Sequence, residues 1–193
     1  MKIGFVGLGQ MGKPMALNML KSGAELFVHS VDQRPYADLE RAGAKPVAHP
    51  RELAGMDFLF LCLPHGEAVR DVLFGEQGIA GRLKPGQIVV DTSTIAYNAT
   101  LDIAQSLHKA GIAFLDAPVS GMEARAVDGT LTVMCGGERT TFDKAEPLLR
   151  HVGNQILYMG ATGSGQLTKL INQLLFNVNC AALPEQLVES ELF

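Results

Sequence analysis

The sequence predicts an α/β fold built on a doubly wound, mostly parallel sheet, and three observations predict it. Short continuous apolar runs alternate with longer segments of helical period. A glycine-rich turn follows the first apolar run and opens the first helical segment. The chain of 193 residues, 47% hydrophobic and 19% charged with 21 glycines, suits one globular domain of roughly 150 residues plus an extra element.

Ile3–Val6, Leu26–Val28, Phe58–Leu63 and Ile88–Val90 are apolar throughout, with no polar alternation, as strands covered on both faces of a parallel sheet require. Between them Gly12–Lys21, Pro35–Ala42, Glu67–Leu73 and Ala96–Lys109 carry helical spacing and end near Gly23, Gly43, Gly75 and Gly111. Right-handed crossovers follow from that succession. A further unit has strands at Ala113–Leu115 and Leu131–Met134, a helix at Thr141–Arg150 and a last strand at Ile156–Met159, for a sheet of about seven or eight strands. The expected domain runs over residues 1–163. From residue 164 to Phe193 only Pro184 interrupts a long helix, of roughly 42 Å if continuous. Its apolar stripe, Leu167, Leu170, Ile171, Leu174, Leu175, Val178 and Cys180, continues past the point where the first domain ends, so it is expected to meet another domain or another subunit.

Charge narrows the function classes. With 16 basic and 20 acidic side chains the net charge is −4, which gives no electrostatic reason to expect nucleic acid or an anionic membrane as partner. No window reaches roughly 18 unbroken apolar residues, and the opening run is too short and too glycine-broken for a signal peptide. The three cysteines, Cys62, Cys135 and Cys180, sit in apolar stretches and read as reduced and cytoplasmic; the five scattered histidines show no metal-ligand spacing. A small molecule is the expected partner.

Gly7-Leu8-Gly9-Gln10-Met11-Gly12 supplies the chemistry for one. After a strand and before a helix, the first glycine permits a tight turn, the second lets backbone approach a pyrophosphate, and the third lets helix pack on strand. The fold is therefore expected to be of Rossmann type, binding NAD or NADP. The same stretch falls one residue short of a nucleotide-hydrolysing loop, because Pro14 stands where a Ser or Thr would hold Mg²⁺. No Gly-x-Ser-x-Gly elbow occurs either. After the second strand, an acid would hold a ribose 2′-hydroxyl and a base a 2′-phosphate. His29-Ser30-Val31-Asp32-Gln33-Arg34 offers Asp32 for the one and Ser30 with Arg34 for the other, so the preference stays open.

Further stretches follow in order: Cys62-Leu63-Pro64; Asp91-Thr92-Ser93-Thr94; Asp116-Ala117-Pro118-Val119-Ser120-Gly121; and Gly163-Ser164-Gly165-Gln166 with Lys169 and Asn172. Together with Ile3–Gly12 this ordered set resembles the β-hydroxyacid dehydrogenase family, which includes 3-hydroxyisobutyrate dehydrogenases and tartronate semialdehyde reductases, over nearly the whole chain. The resemblance implies an NAD(P)-dependent oxidoreductase interconverting a short β-hydroxyacid and its semialdehyde. It implies that Leu63 and Pro64 line the cofactor, that Thr94 sits beside the nicotinamide, that Ser120 and Gly121 bind a substrate carboxylate, and that Lys169 is catalytic with Asn172 on the same helix face. Met122 and Gln173 depart from the family's usual Gly and Asn, which bears on the substrate. The family continues into an all-helical domain that closes the cleft and builds an oligomer; none of it is expected within these 193 residues.

Lys169 also suits the chemistry by itself. A hydride leaves an alcohol carbon only as the hydroxyl proton is removed, and in reverse the developing alkoxide needs a donor. A lysine ordinarily titrates near ~10.4, and burial beside a positive nicotinamide lowers that toward working pH. The rival expectation from another class is a dinucleotide-binding module without catalysis, which a missing lysine would have favoured.

Overall fold

In the computed structural model, which describes residues 1–182, the chain alternates strand and helix as its apolar runs dictate. The elements are β1 (Lys2–Val6), α1 (Gly12–Met19), β2 (Glu25–His29), α2 (Tyr36–Arg41), β3 (Lys45–Pro46), β4 (Phe58–Leu61), α3 (Gly66–Phe74), β5 (Ile88–Asp91) and α4 (Tyr97–Lys109). They continue with β6 (Ala113–Asp116), β7 (Val119–Ser120), α5 (Met122–Asp128), β8 (Leu131–Gly137), α6 (Arg139–Leu149), β9 (Gly153–Gly160) and α7 (Ser164–Ala182). All strands join one nine-stranded sheet in the order β3-β2-β1-β4-β5-β6-β8-β7, with β9 pairing β8. The pairs from β3 to β6 are parallel, β8 runs antiparallel to both β6 and β7, and β9 is parallel to β8.

The sheet is doubly wound. On one face Ile3, Phe5, Phe60, Val90 and Val133 pack against Met15, Met19, Leu39 and Phe142 of the helices. On the other, Val6, Leu59, Leu61 and Val89 pack against Val69, Leu73, Ile103 and Leu107. Neighbouring residues of one strand thus face opposite cores, which is why the strands are apolar throughout. Each fully buried large aliphatic contributes about 1.5–3 kcal/mol. The winding reverses between β1 and β4, and the crevice outside their carboxyl ends is where such sheets hold ligands.

Several elements differ from the reading of the sequence. The sheet has nine strands rather than seven or eight, because β3 and β7 are only two residues long and carry no periodic signal. The fourth strand ends at Leu61, not Leu63: the Leu63 N–H donates to the Ser93 hydroxyl (2.9 Å) and leaves the ladder. The first helix tightens into a 3₁₀ turn at Leu20–Ser22 before Gly23. The short helix α5, with Ala126 as its one buried residue, gives too little apolar signal to be read ahead. Pro184 and the expected helix beyond Ala182 lie outside the described residues.

Two buried carboxyls sit side by side at the carboxyl ends of β5 and β6, where Asp91 and Asp116 are register partners and both are fully buried. Asp116 is well served. Its Oδ1 accepts the Gly163 N–H (2.7 Å) and its Oδ2 the Gln166 N–H (2.9 Å), so it caps the start of α7. That approach needs glycine on both sides: a Cβ at Gly165 would lie 2.3 Å from the Met134 carbonyl oxygen, and one at Gly136 would lie 2.7 Å from the Gly165 nitrogen. Gln166 completes the anchor, its Nε2 donating to the Ser93 carbonyl (2.6 Å). Burial still pushes the Asp116 carboxyl upward, against the pull of these N–H donors.

Asp91 is less well served. Its Oδ1 accepts the Ser93 N–H (3.0 Å), while its Oδ2 is buried without a hydrogen-bond partner. Burial, with the neighbouring Asp116 adding to it, pushes this carboxyl up from 3.8 to about 7. A carboxyl raised by folding binds its proton more tightly in the folded state. Its contribution to stability is therefore largest at low pH, falls as pH climbs from about 4 to about 7, and levels off above. Asp91→Asn keeps the acceptor for Ser93 and cannot ionise. The expected outcome is that the variant gains on wild type between about pH 5 and pH 8 by more than about 1 kcal/mol, since a tenfold change in proton affinity is worth about 1.4 kcal/mol. Urea unfolding at a series of pH values checks it, and parallel pH profiles would contradict it.

Candidate functional site

The glycine turn lies at the reversal point of the sheet, and each of its three glycines is there for a different reason. Gly7 has φ +95°, and a Cβ on it would lie 2.1 Å from the Cys62 carbonyl oxygen. A Cβ on Gly12 would lie 1.9 Å from the Gly7 carbonyl oxygen. These two hold β1, β4 and α1 together. A Cβ on Gly9 would meet nothing within 4 Å, so the space above it is open cleft and nothing within the protein demands a glycine there. No side chain caps α1; the Lys13 N–H donates to the Gly9 carbonyl oxygen (3.0 Å) and Pro14 has no N–H, so the Gly12 N–H at its start is the one left for a ligand. An open approach at Gly9 and an uncapped amide beside it fit a dinucleotide pyrophosphate.

The cleft around this turn has a volume of about 720 Å³ and is lined by Gly7, Leu8, Gly9, Gln10, Met11 and Gly12 together with Ser30, Asp32, Leu63 and Pro64. All of these were expected from the sequence. The Leu8 side chain points into the core, 3% exposed, so that residue offers the cleft its backbone. Arg34 lies in an adjoining groove with Asp32, Gly9 and Gln10.

A second cleft of about 560 Å³ adjoins the first and shares Met11, Cys62, Leu63 and Pro64 with it. It gathers Thr94, Ser120, Gly121, Met122, Lys169, Asn172 and Gln173, residues from three separate stretches of sequence. The carboxyl end of β5 supplies Thr94, the β7–α5 turn supplies Ser120 to Met122, and α7 supplies the rest. The turn is strained. Gly121 has φ +138° and Met122 has φ +61°, a left-handed conformation that costs a side-chain-bearing residue about 1–2 kcal/mol. Met122 is the non-glycine residue with positive φ among the described residues, and it is 66% exposed into the cleft's mouth.

Lys169 is only 8% exposed. Burial lowers its ammonium from the usual lysine value, and no acid contributes to its environment. A lysine so placed gives up and takes back a proton at lower pH than a surface lysine, which suits a general acid/base. Residues not expected for the site are Cys62, Thr92, Ser93, Val119 and Phe176. Ser93 was quoted within its motif, yet its part, bonding the Leu63 N–H, depends on a contact thirty residues away in sequence. Burial pushes the Cys62 thiol up to about 11, so it lines the clefts as a neutral group. Among the described residues no cluster of His, Cys, Asp and Glu could hold a metal, and no helix is long and apolar enough to cross a membrane.

Known proteins carry the same pattern. The family described as the NAD binding domain of 6-phosphogluconate dehydrogenase matches residues 2–160. The 2-(hydroxymethyl)glutarate dehydrogenase of Eubacterium barkeri is 38% identical over 188 residues, 97% of this chain and 62% of its own length. The 2-hydroxy-3-oxopropionate reductase of Escherichia coli K12 is 38% identical over 190 residues, 97% of this chain and 64% of its own. A solved structure of 3-hydroxyisobutyrate dehydrogenase from Mycobacterium tuberculosis, with L-serine, superposes with a TM-score of 0.90 at 30% identity, covering 98% of this chain and 65% of that one. The chain thus spans a little over three fifths of the relatives it matches. With the glycine turn and the doubly wound sheet in place, these likenesses put the chain in the family of the NAD binding domain of 6-phosphogluconate dehydrogenase, and it belongs there.

Proposed function

We propose that this chain is the dinucleotide-binding part of an NAD(P)-dependent oxidoreductase that interconverts a short β-hydroxyacid and its semialdehyde, of the 3-hydroxyisobutyrate or 2-hydroxy-3-oxopropionate type. The observation that carries the reading is the buried Lys169 in a cleft that opens into the nucleotide cleft. The dinucleotide-binding domain is read as residues 1–163, with residue 164 opening the helix toward a helical domain. The exposed Ile171, Leu174, Leu175 and Val178 of α7 support coverage by that domain or by a second subunit, and three unpaired cysteines support a reducing, cytoplasmic setting.

When bound, the nicotinamide supplies hydride transfer. The chain's own residues do the rest. Gly7 to Gly12 and the N-terminus of α1 bind the pyrophosphate, and Leu63 and Pro64 line the path to the second cleft. The Ser120 hydroxyl and the Gly121 N–H hold the substrate carboxylate, and Thr94 borders the nicotinamide end. Asn172 and Gln173 orient the substrate from α7. Lys169 Nζ takes the hydroxyl proton on oxidation and returns it on reduction.

Gly9→Val fills open cleft without touching the protein, so the fold is expected to stay intact while dinucleotide affinity falls well over tenfold. Calorimetry with NAD⁺ and NADP⁺ checks this, and unchanged affinity would remove the glycine turn as the binding site. In the protein carrying its helical domain, Lys169→Ala is expected to lower kcat by two to about four decades, with cofactor affinity changed only a few-fold. Because burial lowers the lysine, the wild-type oxidation rate is expected to rise with pH on a limb centred below 10.5, and that limb vanishes in the variant. Retention of more than about a tenth of the turnover would move catalysis elsewhere.

A further inference from the structure

Gln166 is fully buried and lines neither cleft, and its whole side chain is engaged with one loop. The Nε2 donates to the Ser93 carbonyl (2.6 Å), and the Oε1 accepts the Ile95 N–H (3.3 Å). These two groups belong to the two peptide bonds of Thr94, so one amide grips that residue from both sides. The grip needs a donor and an acceptor on a single planar group, and an uncharged amide supplies both. Ser93 and Ile95 are buried, so a lost partner there is not replaced by water. Meanwhile the backbone N–H of the same glutamine is held by Asp116, and Lys169 follows three residues on, on the same face of α7 and about 4.5 Å along its axis. Asp116 thus fixes α7 through its backbone, and Gln166 fixes the Thr94 loop to α7 through its side chain.

We propose that Gln166 is a positioning residue of the reaction, holding Thr94 at a set offset from Lys169 so that the nicotinamide and the lysine amine meet one substrate carbon together. This deepens the proposed function and rests on it. On oxidation the alcohol carbon gives a hydride to the nicotinamide while its hydroxyl gives a proton to Lys169 Nζ, so both acceptors must be aimed at once. Thr94, at the nicotinamide end, and Lys169 line the same cleft from different elements, and a relative shift of about 1 Å costs about 100-fold in rate. A carboxyl in place of the amide has nearly its shape. Protonated, it donates to Ser93 and accepts from Ile95; ionised, it only accepts and sets a negative oxygen against the Ser93 carbonyl. The charged groups around it are Asp116 on its backbone N–H, Asp91 on the Ser93 N–H, and Lys169. Burial and the two acids raise such a carboxyl above its ordinary ~4.3, against the pull of the lysine.

Reduction of a short semialdehyde by NADH or NADPH, in the protein carrying its helical domain, is compared for wild type, Gln166→Met and Gln166→Glu. The expected result is that Gln166→Met lowers kcat about tenfold or more at every pH, with dinucleotide affinity changed only a few-fold. Gln166→Glu is expected to stay within about threefold of wild-type kcat near pH ~5 and to fall about tenfold behind it by pH ~8, as the carboxyl ionises. Wild-type kcat in Gln166→Met would overturn the proposal, and so would a Gln166→Glu rate that keeps a constant ratio to wild type across that range. Equal losses of kcat and dinucleotide affinity would make Gln166 a support of the whole fold and overturn it as well. Wild type that reduces no short semialdehyde would remove the proposed reaction, and the positioning role with it. Amide exchange in the 193-residue chain reads the grip separately: the Ile95 amide is expected to lose protection in Gln166→Met while the Gly163 amide keeps its own, and unchanged exchange at Ile95 would overturn the grip itself.

Discussion

The placement of Lys169 in the candidate active site passes through one buried carboxylate. Asp116 ends β6 and takes hydrogen bonds from Gly163 and Gln166, which fixes the first turn of α7 against the sheet. Lys169 lies one turn further along the same helix, so its place in the cleft follows from that cap. The cap is possible because Gly136 and Gly165 let backbone approach backbone where a single methyl group would collide. Gln166 then ties the helix to the loop that carries Ser93, whose hydroxyl in turn receives the Leu63 N–H. Cofactor-lining and lysine-bearing segments are thereby joined through a short run of buried hydrogen bonds.

The two clefts are built on different physical terms. The nucleotide cleft is preorganised by backbone: Gly7 and Gly12 close the turn, and Gly9 leaves open space that no contact within the protein explains. The second cleft is assembled by side chains from stretches far apart in sequence, at a turn that stores strain at Met122. Strain retained at a turn that faces a cleft, rather than relieved by glycine, is the kind of local conflict that functional sites keep. Its place beside Ser120 and Lys169 makes Met122 a wall of the second cleft, with Phe176 of α7 in the same lining.

How much of this was legible beforehand follows from the range of each interaction. The long apolar strands and the glycine turn are local signals, and their order gave the parallel, doubly wound sheet. The resemblance carried most of the site residues, and the structure gathers all of those named except Arg34 into two adjoining clefts. What the sequence hid is non-local. Nothing in Val119-Ser120 announces a two-residue strand, because its partner in β8 supplies the reason for it. Asp91 and Asp116 read as members of motifs; that they are register neighbours, one satisfied and one with a bare oxygen, emerges only when β5 and β6 pair. That Asp32 shares a cleft lining with Gly9 and Gln10 likewise emerges only once the turn after β2 has folded.

Asp116 holds α7, and with it Lys169, in place. Amide hydrogen exchange in Asp116→Asn measures this directly, because asparagine keeps the shape and gives up one of the two carboxylate acceptors. The amides of Gly163 and Gln166, and those of the α7 turn that bears Lys169, are expected to lose protection while β1 and β4 keep theirs. Unchanged protection along α7 in that variant would contradict the claim and leave the position of the lysine to packing alone.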